Sequence, residues 1–160
     1  MYLSRDEFDQ GVFYQGDIIN DFPFVIFDKG TIEQSLGLRE TDPKISVRIK
    51  MSMVMILSQT CDIQRRSNII ICPVHKMSDF SLNKDNTEQI KKRRIGYWFY
   101  LPGITGLIED SIADFQTIYY VNREFLEKYK QNKIITLSDW GRHHLGWSLS
   151  TYFGRPIENR

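Results

Sequence analysis

Little in this chain points to a secreted, membrane-embedded or strongly charged protein. Two cysteines in 160 residues are too few for the disulfide framework of a small secreted scaffold. The start, Met1-Tyr2-Leu3-Ser4-Arg5-Asp6-Glu7, lacks the charged-then-apolar layout of a signal peptide, so a cytoplasmic location is expected. No apolar run approaches the roughly 20 residues a spanning helix needs, and no membrane partner is expected. The formal net charge is only +1, so any attraction to nucleic acid must be local rather than a property of the whole molecule. A Gly-rich phosphate loop, a helical double-histidine motif and a dinucleotide fingerprint are all missing. That argues against nucleotide hydrolysis and redox chemistry, and no metal or cofactor is expected. No repeat, low-complexity tract or linker divides the chain, so residues 1–160 are read as a single domain around one core.

What is present is organised around the stretch Ile45 to Asp62. Ile45, Val47, Ile49, Met51 and Met53 alternate with Ser46, Arg48, Lys50 and Ser52, the period of a strand with one face buried and one wet. The pattern then closes into Val54-Met55-Ile56-Leu57, which suits burial on both faces. A strand of that length must bend, coil or break, as strands do in small barrels. It ends in the polar cluster Ser58-Gln59-Thr60-Cys61-Asp62, the usual raw material of a site.

Upstream, the residues through about Gln15 either dock as a short extended arm or stay partly loose. Gly16-Asp17-Ile18-Ile19 and Phe22 to Phe27 follow, with Pro23 marking an edge strand or two short strands joined by a bulge. Asp28-Lys29-Gly30 reads as a turn and Thr31 to Lys44 as a surface loop. Downstream, Gln64 to Asn68 reads as a loop or hairpin connection before a second buried strand, Ile69 to Val74. Antiparallel pairing of the two strands would bring Cys61 and Cys72 nearer. A short helix is expected from Asp85-Asn86-Thr87-Glu88 to Arg94, then strands at Tyr97 to Leu101 and Ile112 to Val121. Asn122 can cap a helix through Phe125, Leu126 and Tyr129.

The last helix should run from Ser138-Asp139 to Gly154. At about 100° per residue its wheel carries two stripes. Trp140, His143, His144 and Trp147 form one; Leu145, Leu149, Tyr152 and Phe153 form the other. One stripe suffices to dock a terminal helix, so Trp140, His144 and Trp147 are expected to meet either a homodimer or other protein partner, or the N-terminal arm.

The order of elements resembles the PemK/MazF-like toxin family. The residues that carry the likeness are Gly16-Asp17-Ile18 opening a strand, the apolar strand ending in Ser58, the strand Ile69 to Val74, and Asp110-Ser111-Ile112. Gln116-Thr117-Ile118, Asn122-Arg123-Glu124-Phe125-Leu126 and a final helix complete it. The resemblance implies a mainly β, α+β protein with a small SH3-like antiparallel barrel, a C-terminal helix and one short inserted helix. It also implies a dimer and, in active members, metal-independent cleavage of single-stranded RNA. The family's Arg-Pro falls on Ser52-Met53 here, with Arg48 and Lys50 as displaced basic residues, and its strand-ending threonine falls near His75. The segment from about Met77 to Gly96 has no counterpart.

Two constellations could carry chemistry. Thr60-Cys61-Asp62 with His75 could make a histidine-activated thiolate, or His75 could act as general base while Arg65 or Arg66 steadies phosphate. The plainer alternative is that Cys61 packs as a small hydrophobe and Asp62 starts a turn. A metal site from Cys61, Cys72 and His75 is disfavoured, because Cys72 and His75 point to opposite faces of a regular strand. Lys91-Lys92-Arg93-Arg94 before Tyr97-Trp98-Phe99-Tyr100 is the cation and aromatic mixture of single-strand binders, or a solvated helix end beside a core strand. The functional expectation is therefore RNA or single-stranded nucleic-acid binding, with endoribonuclease activity in the toxin-like case. The alternative is a non-catalytic interaction or dimerisation module of a toxin–antitoxin or defence-type system.

Overall fold

The computed structural model describes residues 1–3, 7, 9–26 and 48–154, and the backbone but not the side chains of Ile26 and Arg48. The expected turn at Asp28 to Gly30, the loop from Thr31 to Lys44 and the opening residues Ile45 to Val47 of the organising strand lie outside the described residues. The fold is mixed α+β: a curled, antiparallel, seven-stranded sheet forming a half-barrel, with a C-terminal helix.

Strands β1 (Ile18–Ile26), β2 (Arg48–Ile56) and β3 (Asn68–Lys76) form an antiparallel meander at its centre. Helix α1 (Thr60–Arg65) stands between β2 and β3, where the sequence suggested only a loop. After β3 come α2 (Lys84–Lys91), β4 (Trp98–Leu101), β5 (Ser111–Asp114), β6 (Tyr119–Asn122), α3 (Arg123–Glu127), β7 (Lys133–Ile135) and α4 (Asp139–Phe153). The sheet order is β4-β5-β3-β2-β1-β7, and β6 pairs with the other half of the β3 edge that β5 uses. Thus the single strand expected from Ile112 to Val121 is two, broken between Asp114 and Tyr119.

Pro73 sits in a central strand, which a missing N–H normally forbids. The Ile70 carbonyl accepts from Leu57 and its amide donates to Ser58 Oγ, so Ile70 and its even-numbered neighbours face β2. Pro73 therefore faces the β5–β6 edge. There it falls between Ile71, paired with Tyr119, and Val74, paired with Ala113, so its absent donor meets the break. In β1, the pairing with β2 slips between Ile19 and Phe22, with Asp21 at a positive φ of 48°. The bulge expected around Pro23 is present, and Pro23 lies beyond the residues that pair with β7.

Both faces of the sheet are covered near its centre, as Val54-Met55-Ile56-Leu57 suggests. Ile18, Met55, Cys72, Val74 and Phe115 pack on one face with Leu145 of α4. Ile19, Val54, Ile56, Ile69 and Ile71 pack on the other with Phe13, Ile63 of α1 and Leu126 of α3. Further along β2 the expectation of one buried apolar face fails: Ile49 is 64% exposed and Met51 is exposed too. The cause is topological. β3 pairs with β2 only over Met53 to Ile56, so among the described residues the outer ribbon has no β3 neighbour on that edge.

The described part of the N-terminal arm docks in extended form. Tyr2 bridges Leu137, the Leu3 amide donates to the Thr136 carbonyl at 2.9 Å, and the Ser138 amide donates to the Met1 carbonyl at 2.9 Å. Tyr2 Oη reaches across to the Pro102 carbonyl at 2.8 Å, so the arm ties the β7 end of the curl to the β4 end.

Candidate functional site: a groove beside the final helix

Three of the helices start at side-chain caps, and the last of them walls the site. Asn122 Oδ1 accepts from the Glu124 and Phe125 amides, and Asn83 caps α2 by accepting from Asn86. Ser138 accepts from the Gly141 amide to start α4, which ends at Gly154. On α4, Leu145, Leu149 and Tyr152 pack on the core as expected. The other stripe is exposed, Trp140 at 57% and Trp147 at 66%. Phe153 departs from its expected stripe: it is 57% exposed, because it lies toward the edge of the buried arc.

Gly146, Leu149, Ser150 and Phe153 follow the i, i+3, i+4, i+7 spacing and together form one wall of an open groove of about 940 Å³. The opposite wall is α1 and its continuation, with Gln59, Asp62, Arg65, Arg66 and Ser67. Ile70 of β3, Ile118 just before β6 and Tyr120 of β6 complete the lining. Tyr120 is 70% exposed, on the strand face opposite its neighbour Val121. Local hydrogen bonds hold the α1 wall in place. Gln15 Nε2 donates to the Leu57 carbonyl at 2.8 Å, the Gln15 amide donates to Thr60 Oγ1, and Ser58 Oγ accepts from the Ile70 amide at 2.8 Å.

The groove carries two guanidiniums against one carboxylate. Arg66 Nε lies 3.1 Å from Asp62 Oδ1 in an exposed i,i+4 pair, the kind that contributes about 0–1 kcal/mol. Arg65 makes no ion pair with a described residue. Both arginines therefore remain able to meet an anion.

The structure brings Asp62, Arg65 and Arg66 together and leaves His75 elsewhere. Seven residue steps separate His75 from Asn68 along β3, roughly 23 Å at about 3.3 Å per step. Its ring packs edge-on against Phe80 instead, with centroids 5.8 Å apart. The thiol, carboxylate and imidazole expected at one rim are thus divided between the two ends of β3. Cys61 is exposed on α1, within 3.8 Å of Gln59 Oε1, and does not pack as a small hydrophobe. Cys72 is fully buried, and burial pushes its thiol pKa up, with Asp114 adding to the shift. Among the described residues, no group of three or more histidine, cysteine or acidic side chains could hold a metal ion.

The basic run at the end of α2 is engaged locally. Lys91 Nζ pairs with Asp110 Oδ2 at 2.9 Å and Lys92 with Glu88 at 3.3 Å. The Arg93 guanidinium sits over the Phe99 ring at 5.0 Å and the Trp140 ring at 5.7 Å, and donates to Met1 Sδ. Burial lowers its pKa, opposed by Tyr2. Arg94 is exposed. Trp140 marks the far end of α4 from Phe153, about 20 Å away at about 1.5 Å per residue, so this run lies outside the groove. Arg48 and Lys50 lie on the outer β1–β2 ribbon, where Lys50 is exposed.

Sequence reasoning missed Tyr120 and Phe153. Strand alternation through Tyr119-Tyr120-Val121 held the signal for the first, and the rim position on the helical wheel held it for the second. Fold and site together define a small α+β protein whose half-barrel and final helix enclose a groove of cations and exposed rings. The chain matches no known protein family, and no curated protein matches it. No helix among the described residues is long and apolar enough to cross a membrane.

Proposed function

We propose that the groove binds single-stranded nucleic acid, RNA in the first instance, with phosphates at Arg65 and Arg66 and bases on Tyr120 and Phe153. The observation that carries this reading is that two exposed guanidiniums and two exposed rings line one open concavity. Single-strand binders use this mixture because cations meet phosphates in any sequence and every base has a face to stack. The curled antiparallel sheet and its terminal helix support a small SH3-like barrel of the PemK/MazF type as the finer description of the fold.

Binding is better supported than cleavage. His75 is far from the two arginines, and no histidine lines the groove, so the general base of the toxin-like reading does not stand beside the phosphate-holding groups. Fluorescence anisotropy with a labelled single-stranded RNA, over a salt series, tests the proposal. Replacing Arg65 or Arg66 by alanine should weaken binding and reduce the salt slope by about one per lost phosphate contact. Tyr120→Ala should cost about 1–3 kcal/mol of binding through lost stacking. Binding that is absent, or insensitive to salt, would sink the proposal. Any RNA cleavage by the same preparation should be unchanged in His75→Ala.

A second reading, a non-catalytic interaction or dimerisation module of a toxin–antitoxin or defence-type system, is favoured by the exposed Trp140 and Trp147 on α4.

A further inference from the structure

Gly146 stands in the middle of the 15-residue helix α4, where a glycine gives up more backbone entropy on folding than an alanine would. Two ordinary reasons for a glycine inside a helix do not apply to it. Its φ is not positive, so the backbone does not call for glycine. A Cβ at this position would meet nothing within 4 Å, so no neighbour packs against the bare backbone. Gly141 on the same helix is the contrast, because there the Met1 carbonyl takes up the space a side chain would need. At Gly146 that space is open to the groove.

The sheet brings a ring and an amide to the same layer. Ile70 pairs directly with Tyr120, so their side chains share one face of the sheet. Ile70 packs with Leu145 and Leu149 of α4, so this is the face that α4 covers. Tyr120 therefore projects into the layer that holds α4 and still remains exposed. Asn68, two residues from Ile70 and opposite Asn122, carries an exposed side chain on that face, diagonal to Tyr120. The Asn122 side chain is engaged in capping α3, whereas that of Asn68 makes no hydrogen bond with a described residue. A free amide offers one acceptor and two donors, which match the donor and acceptor groups along the edge of an unpaired base.

We infer that this part of the groove is a slot for one unstacked base, which lies on the Tyr120 ring, fills the space beside Gly146 and meets the Asn68 amide at its edge. The inference rests on the groove reading above and adds to it a specificity-determining position, Gly146, kept bare so that a flat ring can approach the α4 backbone. A base in the slot has left its own stack and has its edge free, so the strand must be unpaired there. The stacking surface that Tyr120 supplies is tolerant of sequence, because every base has a face. Arg65 and Arg66 hold the phosphates of the same strand, and their contribution does not depend on whether a base is present.

Fluorescence anisotropy on the full chain, with a short labelled single-stranded RNA and with the same strand made abasic, tests the slot. The abasic strand keeps the phosphates and lacks the bases, so wild type should hold it more weakly. Gly146→Leu should weaken binding of the intact strand at least about tenfold and leave the abasic strand unchanged. Gly146→Ala should act in the same direction by a smaller factor, although its melting temperature rises. Arg65→Ala should instead weaken binding of both strands. If Gly146→Leu holds the intact strand as wild type does, or weakens both strands alike, the slot is overturned and the groove reading stands. Should the leucine variant melt low, Gly146→Ala decides: undiminished binding of the intact strand overturns the slot. If wild type binds neither strand, the groove reading itself falls and the slot with it.

Discussion

At the scale of single residues, Asp17 and Lys133 form a costly pair, both with fully buried side chains and 3.3 Å apart. Lys133 Nζ also donates to the Asp9 carbonyl and, at 2.6 Å, to the Val12 carbonyl, while the Tyr14 amide donates to Asp17 Oδ2. Burial pushes the Asp17 carboxyl up, and the neighbouring ammonium opposes it. Breaking such a pair leaves one buried charge without its partner. Asp17→Asn or Lys133→Met should each cost about 3–5 kcal/mol in urea unfolding, and the double variant should cost clearly less than the sum. Additive losses would mean that the two charges act independently.

Asp110 is a second residue with a readable role. Lys91 first, then the Gly103 amide at 2.8 Å and Tyr100 Oη at 2.9 Å, hold its carboxyl below the usual carboxylate range. A lowered pKa contributes stability above the unfolded value of about 3.9 that is lost as pH falls through the folded one. Tyr100 acts on the other limb: burial first, then Asp110, pushes its hydroxyl up to about 12. Its contribution is complete below about pH 10 and is lost as pH rises through the folded value. Melting temperatures of Asp110→Asn should fall less steeply than wild type below about pH 4, and those of Tyr100→Phe less steeply above about pH 10.

At the scale of elements, α4 shows how one helix serves two masters. A Cβ at Gly141 would clash with the Met1 carbonyl oxygen, because the docked arm passes directly against the helix. A Cβ at Gly146 would meet nothing within 4 Å, because that side opens on the groove. Gly141→Ala should therefore destabilise by about 1–3 kcal/mol, whereas Gly146→Ala should stabilise by up to about 1 kcal/mol. Thermal melts of the two variants should move in opposite directions; a shared direction would refute the packing of the arm on α4.

For the whole molecule, the question is what completes the curl. β4 and β7 are the ends of the sheet, and Tyr2 links them through Leu137 on one side and Pro102 on the other. Tyr2→Phe should cost about 0.5–1.5 kcal/mol, the net worth of one such hydrogen bond. Hydrogen exchange at the Leu3 and Ser138 amides should speed up in that variant, while amides in the β2–β3 ladder stay protected. The groove is also a property of this scale, since its walls come from α1, β6 and α4, which are distant in sequence.

The sequence by itself determined the elements whose signals are local. Caps at Asn122 and Ser138, the two-sided burial of Val54 to Leu57, the bulge near Pro23 and the two stripes of α4 depend on neighbours a few residues away. The α+β character and the nearness of Asp62 to Arg65 and Arg66 were legible for the same reason. Only the tertiary structure decided which edges of β3 are shared, and with that the exposure of Ile49 and Met51, the break between β5 and β6, and the separation of His75 from Cys61. Those outcomes depend on where non-local strands begin and stop pairing, a choice made by packing across the whole curl and not by the period of any one segment.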